Sequence, residues 1–132
     1  MLKTRVFNTN QTYNKDSELD MIKNEKCAAY YAPWKYMIDR IGANDIIFLY
    51  SNGKGIIARG IATGITKITD HEGNPAEEHY MNLKEFQVLG DPLPKTEITR
   101  IVGHDIFCAQ TKFLLSYKNG NDLWEEITKK YI

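Results

Sequence analysis

The sequence predicts an α+β domain built on a small, bent, mainly antiparallel β-barrel with helices packed outside it. Three observations predict this class. Apolar runs of strand length follow one another through the middle of the chain, joined by short turns, and short turns connect antiparallel neighbours. Gly60 and Gly64 fall within or just after one of those runs, where a barrel corner needs a bend or bulge. Helical periodicity is found in segments that flank this region rather than within it.

Residues 2–7 read as the first strand, with the β-formers Val6 and Phe7 near its end and Asn8-Thr9-Asn10 breaking it. A helix is expected from Ser17 to Asn24, because Ser17 and Asp20 have capping-box spacing and Leu19 and Ile22 share a face. Cys27–Tyr31 reads as a short extended piece. Over 33–41, Trp34, Met37, Ile38 and Ile41 recur at the spacing of one α-helical face, with Pro33 at the first helical position and Gly42 at the end. Ile46–Tyr50 is a continuous apolar strand, 51–55 is an Asn-Gly turn, and 56–63 returns as a strand that Ile65–Thr69 extends. After a polar turn at 70–75, residues 78–89 form a long strand with a kink near Lys84. Asp91–Pro94 is a loop, and Thr96 caps a short helix that buries Ile98, Ile101 and Val102 and stops at Gly103. Phe113–Leu115 is a short strand, and a final helix over 121–131 buries Leu123, Trp124 and Ile127.

A chain of 132 residues suits one domain, 1–132, large enough to bury a core unaided. Apolar residues make up 42% and charged residues 26%, which excludes a disordered chain, and no apolar run approaches membrane-spanning length. The first residues lack the apolar stretch of a signal peptide, so a cytoplasmic protein without membrane attachment is expected. The two distant cysteines, Cys27 and Cys108, do not make a zinc site or a disulfide scaffold; two buried free thiols are favoured and a single bridge stays open. Formal charge is +0, but residues 1–69 hold ten Lys/Arg and six Asp/Glu, and the remainder holds seven and eleven. Such a balance argues against tight, nonspecific binding to duplex DNA, and charge alone favours a mixed solvated surface over a basic face on the first half.

No P-loop, dinucleotide fingerprint, metal-ligand spacing or carboxylate cluster of a nuclease is present, and no cofactor or metal is expected. A Cys–His pair, Cys27 with His79 or His104, is the remaining enzymatic option and the minor one. The chemistry concentrates instead in residues 26–60, which carry Tyr30, Tyr31, Trp34, Tyr36, Phe48 and Tyr50 beside amide-rich segments. Aromatic faces stack on planar bases, and amide and hydroxyl groups read base edges. Core packing is the better reading for Trp34 and Phe48, whereas Tyr30, Tyr31 and Tyr50 stand between core and site.

The stretch Trp34…Met37-Ile38…Ile41-Gly42…Asn44-Asp45-Ile46-Ile47-Phe48-Leu49-Tyr50-Ser51…Gly55-Ile56-Ile57-Ala58…Gly60-Ile61-Ala62 resembles the EVE domain. Gln110-Thr111-Lys112-Phe113, Ser116 and a terminal helix resemble that family's ending, and Ser51–Gly55 resembles the matching turn of the related YTH domains. The resemblance implies a PUA-like barrel with a pocket and a non-catalytic domain that recognises a modified or flipped base in DNA or RNA, beside a possible effector protein. By position, it places Asn8, Thr9 and Asn10 at the pocket mouth, Cys27 to Tyr31 along one wall, Tyr50, Ser51 and Asn52 along the other, and Gln110 on the late strand, with Tyr30, Tyr31 or Trp34 as the stacking residue. The sequence departs from the relatives in carrying Cys27-Ala28-Ala29 where a methyladenine reader has a cage tryptophan, and Asn44 where glycine precedes Asp45. Lys3, Arg5, Lys54 and Arg59 are the expected phosphate contacts. The alternatives are a protein-interaction or small-molecule module on the same frame and, less favoured, a hydrolase.

Overall fold

The computed structural model describes residues 1–10, 14–106 and 112–132. The elements run β1 (Lys3–Asn8), α1 (Lys15–Lys23), β2 (Lys26–Tyr30), a 3₁₀ helix (Trp34–Arg40), β3 (Ile46–Ser51), β4 (Gly55–Ala62), β5 (Lys67–His71), β6 (Asn74–Leu93), α2 (Lys95–Val102), β7 (Lys112–Ser116) and α3 (Tyr117–Lys130). The architecture is α+β, with a mainly antiparallel sheet curled into a half-barrel. Strand order is β2-β6-β4-β3-β1-β7, with β5 added to β6, and β1–β3 is a parallel pair.

The apolar run of β3 is buried along its whole length because the sheet is covered on both faces. Alternation sends Ile46, Phe48 and Tyr50 into one core, closed by Ile98 of α2 and Leu123 and Ile127 of α3. Ile47 and Leu49 enter a second core with Phe7, Met21 of α1, Cys27 and Ile38. Curvature comes from irregular pairing. The β3–β4 register shifts between Leu49 and Tyr50, and the β4–β6 register shifts between Arg59 and Ile61, opposite Lys84–Gln87. Glu85 takes a left-handed φ of 51° there, which is the kink expected near Lys84. Gly60 sits at the same corner, where a Cβ would lie 2.7 Å from that of Leu83.

Several local expectations are corrected. Residues 34–40 wind as a 3₁₀ helix, and its period of three brings Lys35, Ile38 and Ile41 to the buried side. Trp34, on a different edge, is 48% exposed instead of sitting in the core. Asn14, not Ser17, caps α1: its Oδ1 accepts from the Asp16 amide at 3.0 Å, and Ser17 is buried. Ile65–Thr69 does not extend β4; β5 is a separate strand paired with β6. Residues 91–93 belong to β6 rather than a loop, and Pro94 precedes α2 without a side-chain cap. Among the described residues no helix is long and apolar enough to cross a membrane.

Candidate functional site

A cavity of about 250 Å³ opens between the start of α1, the end of β2 and the β5–β6 hairpin. Asn14, Asp16, Ser17 and Asp20 come from the first element, Tyr30 from the second, and His71, Glu72 and Glu78 from the third. Pairing fixes the geometry: Tyr30 stands opposite Glu78 in the β2–β6 ladder, and His71 opposite Asn74 at the hairpin. The Asn14 amide donates to Glu72 Oε1 at 3.0 Å, tying α1 to the hairpin.

One wall is aromatic. The Tyr30 and His71 rings stack at 4.2 Å between centroids, with Tyr31 edge-on to His71 at 5.5 Å. Tyr31 Oη accepts from Asn74 at 3.1 Å. Tyr30 is 9% exposed, and its hydroxyl is buried beside Ser17. Burial pushes its pKa up, against a smaller opposing effect of Ser17.

The other wall is acidic. Lys26 Nζ donates to Glu78 Oε2 at 2.6 Å, contacts Asp20 Oδ2 at 2.8 Å and lies 4.3 Å over the Tyr80 ring. Burial alone would lower the Lys26 pKa; the hydrogen bonds and charges of Asp20 and Glu78 outweigh it and leave the ammonium favoured. Four carboxylates thus line the cavity, with this single ammonium buried beside two of them.

Of the residues singled out in the sequence, Tyr30 lines this cavity and Tyr31 braces it. Others gather at the end of β1 and β3. Asn8 Nδ2 donates to Asn52 Oδ1 at 3.0 Å, Asn8 Oδ1 accepts from the Asn10 amide at 2.7 Å, and the Thr9 amide donates to the Tyr50 carbonyl at 2.9 Å. Thr9 Oγ1 donates to Glu18 Oε1 at 2.7 Å, and Ser51 is fully buried. Tyr50 and Tyr30 belong to different cores, so the aromatic residues do not converge on one cage. Cys27 is completely buried, and desolvation drives its thiol pKa up to about 12, the opposite of an activated nucleophile. Gln110 lies outside the described residues.

The basic residues divide. Arg5 is buried, with Nε donating to Asp45 Oδ2 at 3.1 Å and a guanidinium NH₂ to the Arg40 carbonyl at 3.0 Å. Arg59 is also buried, donating to Gln87, to the Trp124 carbonyl at 2.9 Å and to Thr128 Oγ1 at 2.7 Å, with the Trp124 ring 4.1 Å away. Burial lowers its pKa. Lys3 and Lys54 are exposed. Burial, with the nearby charges of Arg5, Arg40 and Lys3, lowers the Lys112 pKa.

Asn14, Asp16, Ser17, Asp20, His71, Glu72 and Glu78 were missed as site residues. One signal was present: Asp16 and Asp20 are four apart on a helix, a repulsive pairing that calls for a cation such as Lys26. Among the described residues no three His, Cys, Asp or Glu side chains are grouped to hold a metal ion. In comparison with known proteins, the chain matches no family model and no curated protein.

Proposed function

We propose that the chain is a non-catalytic binding domain that takes one small planar group, a modified or flipped base, into the cavity beside Tyr30 and His71. The observation that carries this reading is the Tyr30–His71 stack on the wall of a pocket of about 250 Å³. That volume is just below the roughly 300–1,000 Å³ of drug-sized sites, the scale of a single ring system. Stacking supplies affinity on the order of 1–3 kcal/mol per base, and the polar rim supplies orientation. The exposed Lys3 and Lys54 are left as the candidate phosphate contacts for a base carried on a polynucleotide. A PUA-like barrel of the EVE type is the frame we assign to it, on the sequence resemblance and the curled antiparallel sheet.

A second reading, a small-molecule or protein-interaction module, is favoured by the four carboxylates around the cavity and by the inward-turned Arg5 and Arg59. Titration of the chain with short single- and double-stranded oligonucleotides, with and without modified bases and at two salt concentrations, separates the two. Binding that depends on the modification and weakens in His71→Ala supports base recognition. Binding of mononucleosides without any gain from an attached strand supports the small-molecule module.

A further inference from the structure

We propose that the chain forms a homodimer through β7, two copies pairing antiparallel about a two-fold axis at Leu114. The surface lies at the end of the strand order away from β2, which carries Tyr30 of the cavity, and does not depend on what the cavity binds.

A strand at the end of a sheet presents unpaired amides and carbonyls, and such an edge is normally covered or carries charge that discourages pairing. Two strands here follow that rule. β2 is buried at every residue. β5, which among the described residues pairs with β6 alone, places the exposed charges of Lys67 and Asp70 around its exposed Ile68. β7 has neither protection. Its sequence is Lys112-Phe113-Leu114-Leu115-Ser116, three apolar residues in a row with the charge confined to one end. Among the described residues it pairs with β1 alone. Alternate residues of an antiparallel pair turn their backbone groups away from the partner strand, so roughly half of the amides and carbonyls of β7 face outward. Leu114, at the middle of this edge, is 47% exposed.

The strand is its own complement. A two-fold axis normal to the sheet keeps each face continuous, so residues of the same face meet across it. With the axis at Leu114, Leu114 meets the partner's Leu114, Phe113 meets the partner's Leu115, and Lys112 meets the partner's Ser116. No like charges stand opposite one another, an arrangement that would oppose pairing. Phe113 and Leu115 belong to the core closed by α2 and α3, so that core runs on into its copy. Leu114 lies on the other face, opposite Arg5 in the β1 ladder, and loses its exposure against its own copy. An axis at Phe113 or Leu115 would leave three of the five residues paired. The ladder cannot run past Ser116, whose Oγ accepts from the Asn119 amide at 3.0 Å to start α3. Any added strand could supply backbone hydrogen bonds; the side-chain match is what selects a second copy.

Sedimentation velocity of the full chain in reducing buffer, from about 1 μM to about 500 μM, covers the affinity of a ladder smaller than a standard interface. The average mass should climb from one chain toward two. Leu114→Lys sets two ammonium groups face to face on the axis, at an exposed position, and should weaken association by roughly tenfold or more with the melting temperature unchanged. Ser116→Asp keeps an oxygen to cap α3 and puts a carboxylate opposite the partner's Lys112, so it should tighten association by roughly two- to fivefold. A chain that stays monomeric throughout overturns the homodimer and leaves the edge to a strand of another protein. A dimer that Leu114→Lys leaves intact overturns β7 as its interface. Association that Ser116→Asp fails to tighten overturns the axis at Leu114.

Discussion

Tyr30 and Glu78 face each other across the β2–β6 ladder, and both line one cavity. The same ladder buries Lys26 against Glu78 at 2.6 Å, so the acidic wall is built into the sheet rather than laid on its surface. Rigid strands therefore hold the aromatic and the acidic parts of the site together, and α1 and the hairpin close it through Asn14 and Glu72.

Lys26 is expected to matter for stability. Both side chains of its pair with Glu78 are almost fully buried. Lys26→Met leaves two carboxylates uncompensated and should destabilise the chain by about 3–5 kcal/mol in urea unfolding. Adding Glu78→Gln should recover a substantial part of that loss; no recovery would show that Lys26 acts through packing alone.

Arg59 should behave as a structural residue. Arg59→Lys loses the fork that reaches Gln87, Trp124 and Thr128 together, and should lower stability by about 1.5–3 kcal/mol. Oligonucleotide affinity of the still-folded variant should be unchanged. A selective loss of affinity at unchanged melting temperature would restore Arg59 as a phosphate contact.

Cys27 should resist modification and make the fold sensitive to alkali. Its thiol is raised from an ordinary value near 9 to about 12, by burial above all, with its hydrogen bonds and Arg5 opposing. Because the folded chain holds this proton more tightly than the unfolded chain, stability is unaffected below pH about 9 and falls as pH rises from there toward 12. The raised Tyr30 hydroxyl acts in the same direction. In a Cys108→Ser background, iodoacetamide at pH 8 should label Cys27 only after denaturant is added. Rapid labelling of the native chain would contradict the burial.

The strands were legible because their signal is local. Ile46–Tyr50 is apolar on both faces, and burial on both faces is what the fold gives it. The kink near Lys84 was also readable, and a left-handed Glu85 produces it. The segment 34–40 was not, since Trp34, Met37, Ile38 and Ile41 match an α-helical face, while a period of three selects Lys35, Ile38 and Ile41. Arg5 and Arg59 read as surface cations because their partners are remote: Asp45 lies 40 residues from Arg5, and Thr128 lies 69 from Arg59. The cavity escaped for the same reason. It joins the segments 14–20, 30 and 71–78, and no short spacing connects a helix start to a hairpin tip.

The most direct test of the binding site is amide and side-chain NMR of the full chain during titration with a panel of modified nucleosides. Base recognition in this cavity predicts saturable shifts centred on Ser17, Tyr30, His71 and Glu78, lost in His71→Ala. Shifts confined to the Asn8–Asn52 end of the sheet, with these four unmoved, would contradict it.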